Sequence, residues 1–312
     1  MLDTRIVREL VVDDAAGRSG LSLLSAASGL VLRGQQLFVV ADDEHHLAIF
    51  DLARPEPGRL LALFDGALPP HPKARKAAKP DCEALFVLPA FAGCPHGALM
   101  AMGSGSRPSR QRGALLALDA AGGVQGPART VDLGPLLAAL HECLPELNVE
   151  GAFVQGDRLC LLQRGNGPSA INARIDLKGR DFLQWLAGAG PAPKPDAITR
   201  FALGAIDGVA LSVTDCTPLP GGDWLFSAAA EDTWDTYHDG RCAGSAIGLV
   251  DAGGSIRRLE RLSRNCKVEG IAGTVSGQGG GAGAGDTIDL LLVTDADDRR
   301  QPGLLLAATL QR

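Results

Sequence analysis

The chain alternates short apolar runs with polar clusters, and one pattern recurs five times. Each unit opens on an oxygen-bearing residue, usually followed by a small one, and enters an apolar run: Ser28-Gly29-Leu30-Val31-Leu32, Glu83-Ala84-Leu85-Phe86-Val87, Glu150-Gly151-Ala152-Phe153-Val154, Thr214-Asp215-Cys216-Thr217-Pro218 and Glu269-Gly270-Ile271-Ala272-Gly273. A turn with Gly, Asp or Pro leads to a second run, at Leu37–Val40, Ala98–Met102, Leu159–Leu162, Trp224–Ser227 and Leu290–Val293, and each second run ends in a polar cluster. Third strands are readable at His46–Leu52, Gly113–Asp119, Ala170–Leu177, Ser245–Asp251 and Gly303–Leu310. Fourth strands follow at Arg59–Phe64, Ala128–Leu133, Ala197–Leu203 and Ser255–Leu262. The runs have strand length and no 3.6-residue rhythm.

The fifth unit runs out of chain before its fourth strand, while Arg5–Val12 precedes the first unit and belongs to none. Pairing these two ends closes a ring of sheets without an open edge. The pattern predicts an all-β chain, a five-bladed β-propeller of four-stranded antiparallel blades. The blades span about 26–66, 81–135, 148–204, 212–263 and 267–312 plus strand 5–12, so that residues 1–312 form a single β-propeller domain. A pair of β-sandwiches, or a six-bladed propeller with one blade unrecognised, are the competing architectures. Short helices are predicted at Pro135–Pro145 and Arg180–Ala189, and the Gly-Ala run 277–285 reads as a flexible loop.

Composition narrows the choice. A length of 312 residues exceeds what one hydrophobic core usually supports, which calls for two domains or a single fold of radially repeated units, and the five repeats select the second. Apolar residues at 46% exclude a disordered chain, and 40 glycines suit a fold that turns often. A net charge of −6 offers no footprint for nucleic acid or an anionic membrane. No window reaches eighteen uncharged apolar residues, and the N-terminus lacks a basic stretch followed by an apolar run. The expectation is a soluble, cytoplasmic monomer with a small-molecule substrate or ligand at the propeller rim. Seven scattered cysteines without C-x-x-C spacing indicate neither a disulfide framework nor a zinc ribbon.

In a propeller the innermost strands line the central channel, so the five openings surround one axis. Ser28, Glu83, Glu150, Thr214 and Glu269 then form a ring of oxygens. Three carboxylates facing one another repel unless they are protonated or bridged by a cation. An all-oxygen set favours Ca²⁺, with Mg²⁺ as the alternative that demands tighter octahedral geometry, and disfavours zinc and copper. Basic groups around the ring suit a phosphate ester: Lys79, Arg164 and Lys267 are the candidate anion ligands, and Asp81 or Asp297 the candidate base. Gly103-Ser104-Gly105-Ser106 with Arg107, Arg110 and Arg112 looks like an anion loop, but it lacks P-loop spacing.

The order Ser, Glu, Glu, Thr, Glu resembles the calcium-activated nucleotidase (apyrase) family, five-bladed propellers whose central Ca²⁺ is ringed by Ser, Glu, Glu, Ser and Glu from successive blades. The resemblance implies a metal site at Ser28, Glu83, Glu150, Thr214 and Glu269, with Thr214 standing where the family has Ser. It also implies a calcium-dependent phosphohydrolase acting on a small phosphorylated substrate. The elements Asp81-Cys82-Glu83-Ala84 and Val149-Glu150-Gly151 are similar to those of phytase-like bacterial propeller proteins. The competing expectation is a non-catalytic propeller with a structural central ion, binding a ligand or protein on its rim.

Overall fold

The computed structural model describes residues 1–14, 20–166, 171–232, 240–276 and 286–312. Residue 170, the end of the polar cluster after Asp232 and the Gly-Ala run 277–285 lie outside the described residues. Five small antiparallel sheets are arranged as a five-bladed β-propeller. The innermost strands are β1 (Ala27–Arg33), β2 (Cys82–Leu88), β3 (Val149–Gln155), β4 (Val209–Pro218) and β5 (Lys267–Ser276). Each packs against the next, and β5 packs against β1, so the ring closes around a channel.

The apolar runs are continuous because both faces of a blade are covered. In the second strand of the first blade, Leu37 and Val39 enter the core shared with the fifth blade, while Phe38 and Val40 enter the core shared with the second. This follows from the two-residue side-chain period of a strand. Five hydrophobic clusters lie between neighbouring blades in this way, and none is confined to a single sheet.

The N-terminal segment does more than close the ring. Arg5–Glu9 pairs antiparallel with Leu304–Ala307 of the fifth blade, as expected from the missing fourth strand. The predicted strand 5–12 is broken, however. Val12–Asp13 pairs in parallel with Gly58–Arg59, at the outer edge of the first blade. One segment therefore fastens both blades at the seam.

The two predicted helices are α2 (Gly134–His141) and α3 (Gly179–Leu186). A third, α1 (Pro72–Ala78), was not predicted. Its sequence Pro-Lys-Ala-Arg-Lys-Ala-Ala has no apolar stripe, and only Arg75 within it is buried. It begins with Pro at its first helical position, where the missing N–H costs nothing. The α1 helix matters because it ends at Lys79, whose amide bonds to the Arg75 carbonyl and whose side chain lines the channel cavity.

Thr214 also departs from the expected placement. It lies in the middle of β4, which starts at Val209 and is extended by a hairpin with Ala205–Ile206, whereas its counterparts lie near the start of their strands.

Candidate metal centre

All five ring residues share one backbone feature. The pairing of each innermost strand with its neighbour skips a single residue, and the skipped residues are Ser28, Glu83, Glu150, Thr214 and Glu269. Each is the extra residue of a β-bulge, a device that re-aims a side chain out of the regular alternation. The five are buried.

The structure does not treat them alike. Glu83, Glu150 and Glu269 each offer a carboxylate oxygen, and the three oxygens lie within 4.8 Å of one another, a grouping that could hold a metal ion. Asp42, Asp81 and Glu83 form a second grouping of this kind. Ser28 lines the same small cavity, about 50 Å³ in volume, but Thr214 does not. Both hydroxyls tie neighbouring blades together: Ser28 Oγ donates to the Cys82 carbonyl at 2.5 Å, and Thr214 Oγ1 donates to the Val268 carbonyl at 2.8 Å. Each acceptor is the residue just before the next blade's glutamate.

The predicted basic residues sit at the same cavity, already engaged. Arg164 NH1 lies 3.1 Å from Glu150, its NH2 2.6 Å from Glu231, and Glu269 is 3.7 Å away. Lys267 Nζ lies 3.2 Å from Glu269 and 3.1 Å from Asp295. Lys79 pairs with Asp42 and, at 2.8 Å, with Asp81. Burial lowers the pKa of each of these cations; the surrounding carboxylates outweigh it and raise the pKa of all three. Seven carboxylates and five basic side chains line the cavity, an excess of two negative charges when all are ionised.

That excess shows in the titration of the ring. Burial, and then Glu150, push the Glu83 carboxyl well above the usual range. Burial raises Glu150 to about 8 against the pull of Arg164, and Glu269 is raised for the same reason despite Lys267. Glu269 Oε1 makes no hydrogen bond of ordinary geometry even with Lys267 beside it. Its lone pairs are available to a further ligand. Buried carboxylates with unspent acceptor capacity and surplus negative charge fit a hard cation.

The two candidate bases separate. Asp81 is buried, accepts a hydrogen bond from Ser104 Oγ at 2.5 Å and pairs with Arg110 at 2.8 Å. Burial raises its pKa, yet Lys79 and then Arg110 more than reverse this, so it is held below the ordinary value. It is locked as an anion. Asp297 is half-exposed, and burial leaves its carboxyl at about 7 against the pull of Lys267. Both residues have positive φ, 57° for Asp81 and 52° for Asp297.

Arg110, from the loop that resembles an anion site, and Asn148, just before the third innermost strand, both line the cavity, while Arg75, given no role in the sequence analysis, pairs with Glu44 and lies 3.4 Å from Asp43. Asn148 donates to Glu150 Oε1 at 2.5 Å. Its position just before β3 was the available signal, since Lys79, Asp81 and Lys267 hold similar positions before or at the start of β2 and β5.

Fold and ring together define a five-bladed propeller with an acidic channel site. The chain belongs to DUF6929, a family of unknown function, whose model matches residues 23–310. No curated protein matches it. Among solved structures it is similar to the glutaminyl cyclase of Myxococcus xanthus, with 12% identity over 100% of this chain and 98% of that one and a TM-score of 0.49. It is also similar to a luciferin-regenerating enzyme (10% identity, 92% of each chain, TM-score 0.45) and to the WD40 β-propeller domain of Doa1 (9% identity, 99% and 97%, TM-score 0.38). Among the described residues, no helix is long and apolar enough to cross a membrane.

Proposed function

We propose that the protein is a divalent-cation-binding propeller whose channel ion, of the calcium type, serves hydrolysis of a small phosphorylated substrate. The observation that carries the cation is the convergence of Glu83, Glu150 and Glu269 oxygens within 4.8 Å. Ser28 supplies a hydroxyl oxygen at the same cavity. The Ser, Glu, Glu, Thr, Glu order supports calcium and phosphate chemistry through its resemblance to the calcium-activated nucleotidases. A bound divalent ion would polarise a phosphoryl oxygen and lower the pKa of water. For the chain's own part, Lys267 and Arg164 hold positive charge beside the ring, and Asp297, titrating near neutral pH, is the residue suited to take a proton.

One observation favours a second reading, a structural ion with ligand binding at the rim. Each of the three candidate anion ligands is already paired with carboxylates, in a cavity of about 50 Å³. The test is calcium titration followed by calorimetry and thermal melting, with a metal-dependent screen of nucleotides and phosphate esters, on the wild type and on Glu150→Gln. Calcium should raise Tm in the wild type and much less in the variant. Turnover that disappears in Glu150→Gln supports hydrolysis, and a Tm shift without turnover of any ester favours the structural ion. No effect of calcium on either protein removes the channel site.

A further inference from the structure

One buried carboxylate has no part in the chemistry above. Asp215 is fully buried, and it follows Thr214 at the first position after the bulge. The other blades hold Gly29, Ala84, Gly151 and Gly270 at this position. There is a steric reason for their smallness. A Cβ on Gly151 would lie 2.9 Å from the Cys216 amide nitrogen and 3.0 Å from the Asp215 Cα, and one on Gly270 would lie 3.3 Å from the Gly29 Cα. The innermost strands approach one another so closely here that one side chain fills the space.

No basic side chain pairs with Asp215 among the described residues. Its Oδ2 accepts the Ile271 amide at 2.9 Å. The amides of Cys216 and Leu30 favour the charged carboxylate as well, at geometry too loose to leave Oδ1 with a hydrogen bond. Leu30 belongs to the first blade and Ile271 to the fifth, so the carboxylate's one well-formed hydrogen bond joins the fourth blade to the fifth. The three amides have equivalent positions: Leu30 lies two residues beyond Ser28, Cys216 two beyond Thr214, and Ile271 two beyond Glu269.

We propose that Asp215 is a positioning residue for the cation ring, a strut whose carboxylate ties the bulge of the fourth blade to that of the fifth and so sets the bore at which Glu269 faces Glu83 and Glu150. The proposal rests on the channel being a cation site. It explains why one blade breaks the small-residue rule, and why an acid is buried where, among the described residues, a backbone amide and no basic side chain answers it. Outer groups that orient metal ligands typically cost roughly tenfold or more in metal affinity when altered.

The test is calcium affinity by calorimetry of Asp215→Asn, which keeps the shape but loses the charge and turns an NH₂ group toward amide donors. Folded Asp215→Asn should bind calcium about tenfold or more weakly than the wild type. Affinity within about twofold of the wild type, in a folded variant whose Leu30, Cys216 and Ile271 amides exchange hydrogen faster, makes Asp215 a fold anchor only and overturns the proposal. Should the variant fail to fold, the wild type decides. Coupling is reciprocal, so calcium must slow exchange at these three amides relative to amides in the outer strands, and calcium binding without such slowing overturns the strut. A wild type that binds no calcium removes the cation reading itself, which is a different result from binding without coupling.

Discussion

The channel holds two kinds of buried carboxylate, one above the other. At the mouth, Glu150 and Glu269 are answered by the side chains of Arg164 and Lys267. Below them, Asp215 accepts the Ile271 amide and, among the described residues, pairs with no basic side chain. A charged side chain can swing to another partner, and an incoming cation can take its place; an amide in a strand can do neither. The upper set is therefore exchangeable and suited to binding, and the lower one is fixed and suited to holding blades in place.

The sharpest way to break this distinction is to remove a counter-charge of the upper set. Arg164 serves Glu150, Glu231 and Glu269 at once and is buried. Arg164→Met should destabilise the metal-free protein by about 3–5 kcal/mol in urea unfolding, because acids buried without a partner are costly. Calcium should restore part of that loss, since a bound ion supplies the missing positive charge and stabilises the folded state. A loss below about 1 kcal/mol would show that the acids do not depend on the guanidinium.

A smaller effect should appear with pH. A carboxyl whose pKa is higher in the folded than in the unfolded protein adds stability that is complete below the unfolded value and is lost as pH rises through the folded one. Asp42 and Asp297 are raised to about 7 and Glu150 to about 8, burial being the main cause each time. The metal-free protein should therefore melt highest near pH 5 and progressively lower up to about pH 8. Calcium should flatten this slope by replacing the proton on the upper acids. A Tm that climbs across the same window would contradict it.

Much of this was legible in the sequence, for identifiable reasons. The runs Leu37–Val40 and Leu290–Val293 are apolar at every position because each blade is covered on both faces, and that is visible without coordinates. The phase of the ring was legible because a bulge places one residue of each innermost strand toward the axis, and an oxygen-bearing residue before a small one marks it. Asp215 stood in the sequence as the exception to that small-residue rule. Its meaning was hidden because its partner, Ile271, comes from another blade. The pairing of Lys79 with Asp42 was hidden for the same reason, and α1 because a basic helix without an apolar stripe carries no periodic signal. The committed state of Arg164 and Lys267 could not be read either, since charge counts do not say which opposite charges converge.

The close approach of the innermost strands gives the finest test of the lower region. Gly151→Ala should cost about 1–3 kcal/mol, because the new methyl meets the backbone of Cys216 and Asp215 at about 3 Å and neither can move without moving the strut. Gly29→Ala should cost less, below about 1 kcal/mol, and Ala84 already carries a methyl at the same position of the second blade. The Gly29 methyl would sit 3.2 Å from the Leu85 amide nitrogen and 3.3 Å from the Glu83 carbonyl oxygen, contacts relieved by a shift of a few tenths of an ångström. That shift moves the backbone of Glu83. Gly29→Ala should accordingly leave urea unfolding nearly unchanged while weakening calcium binding measurably by calorimetry, and Gly151→Ala should weaken both. If the two variants lose stability equally and keep wild-type calcium affinity, the bore of the channel does not set the ring.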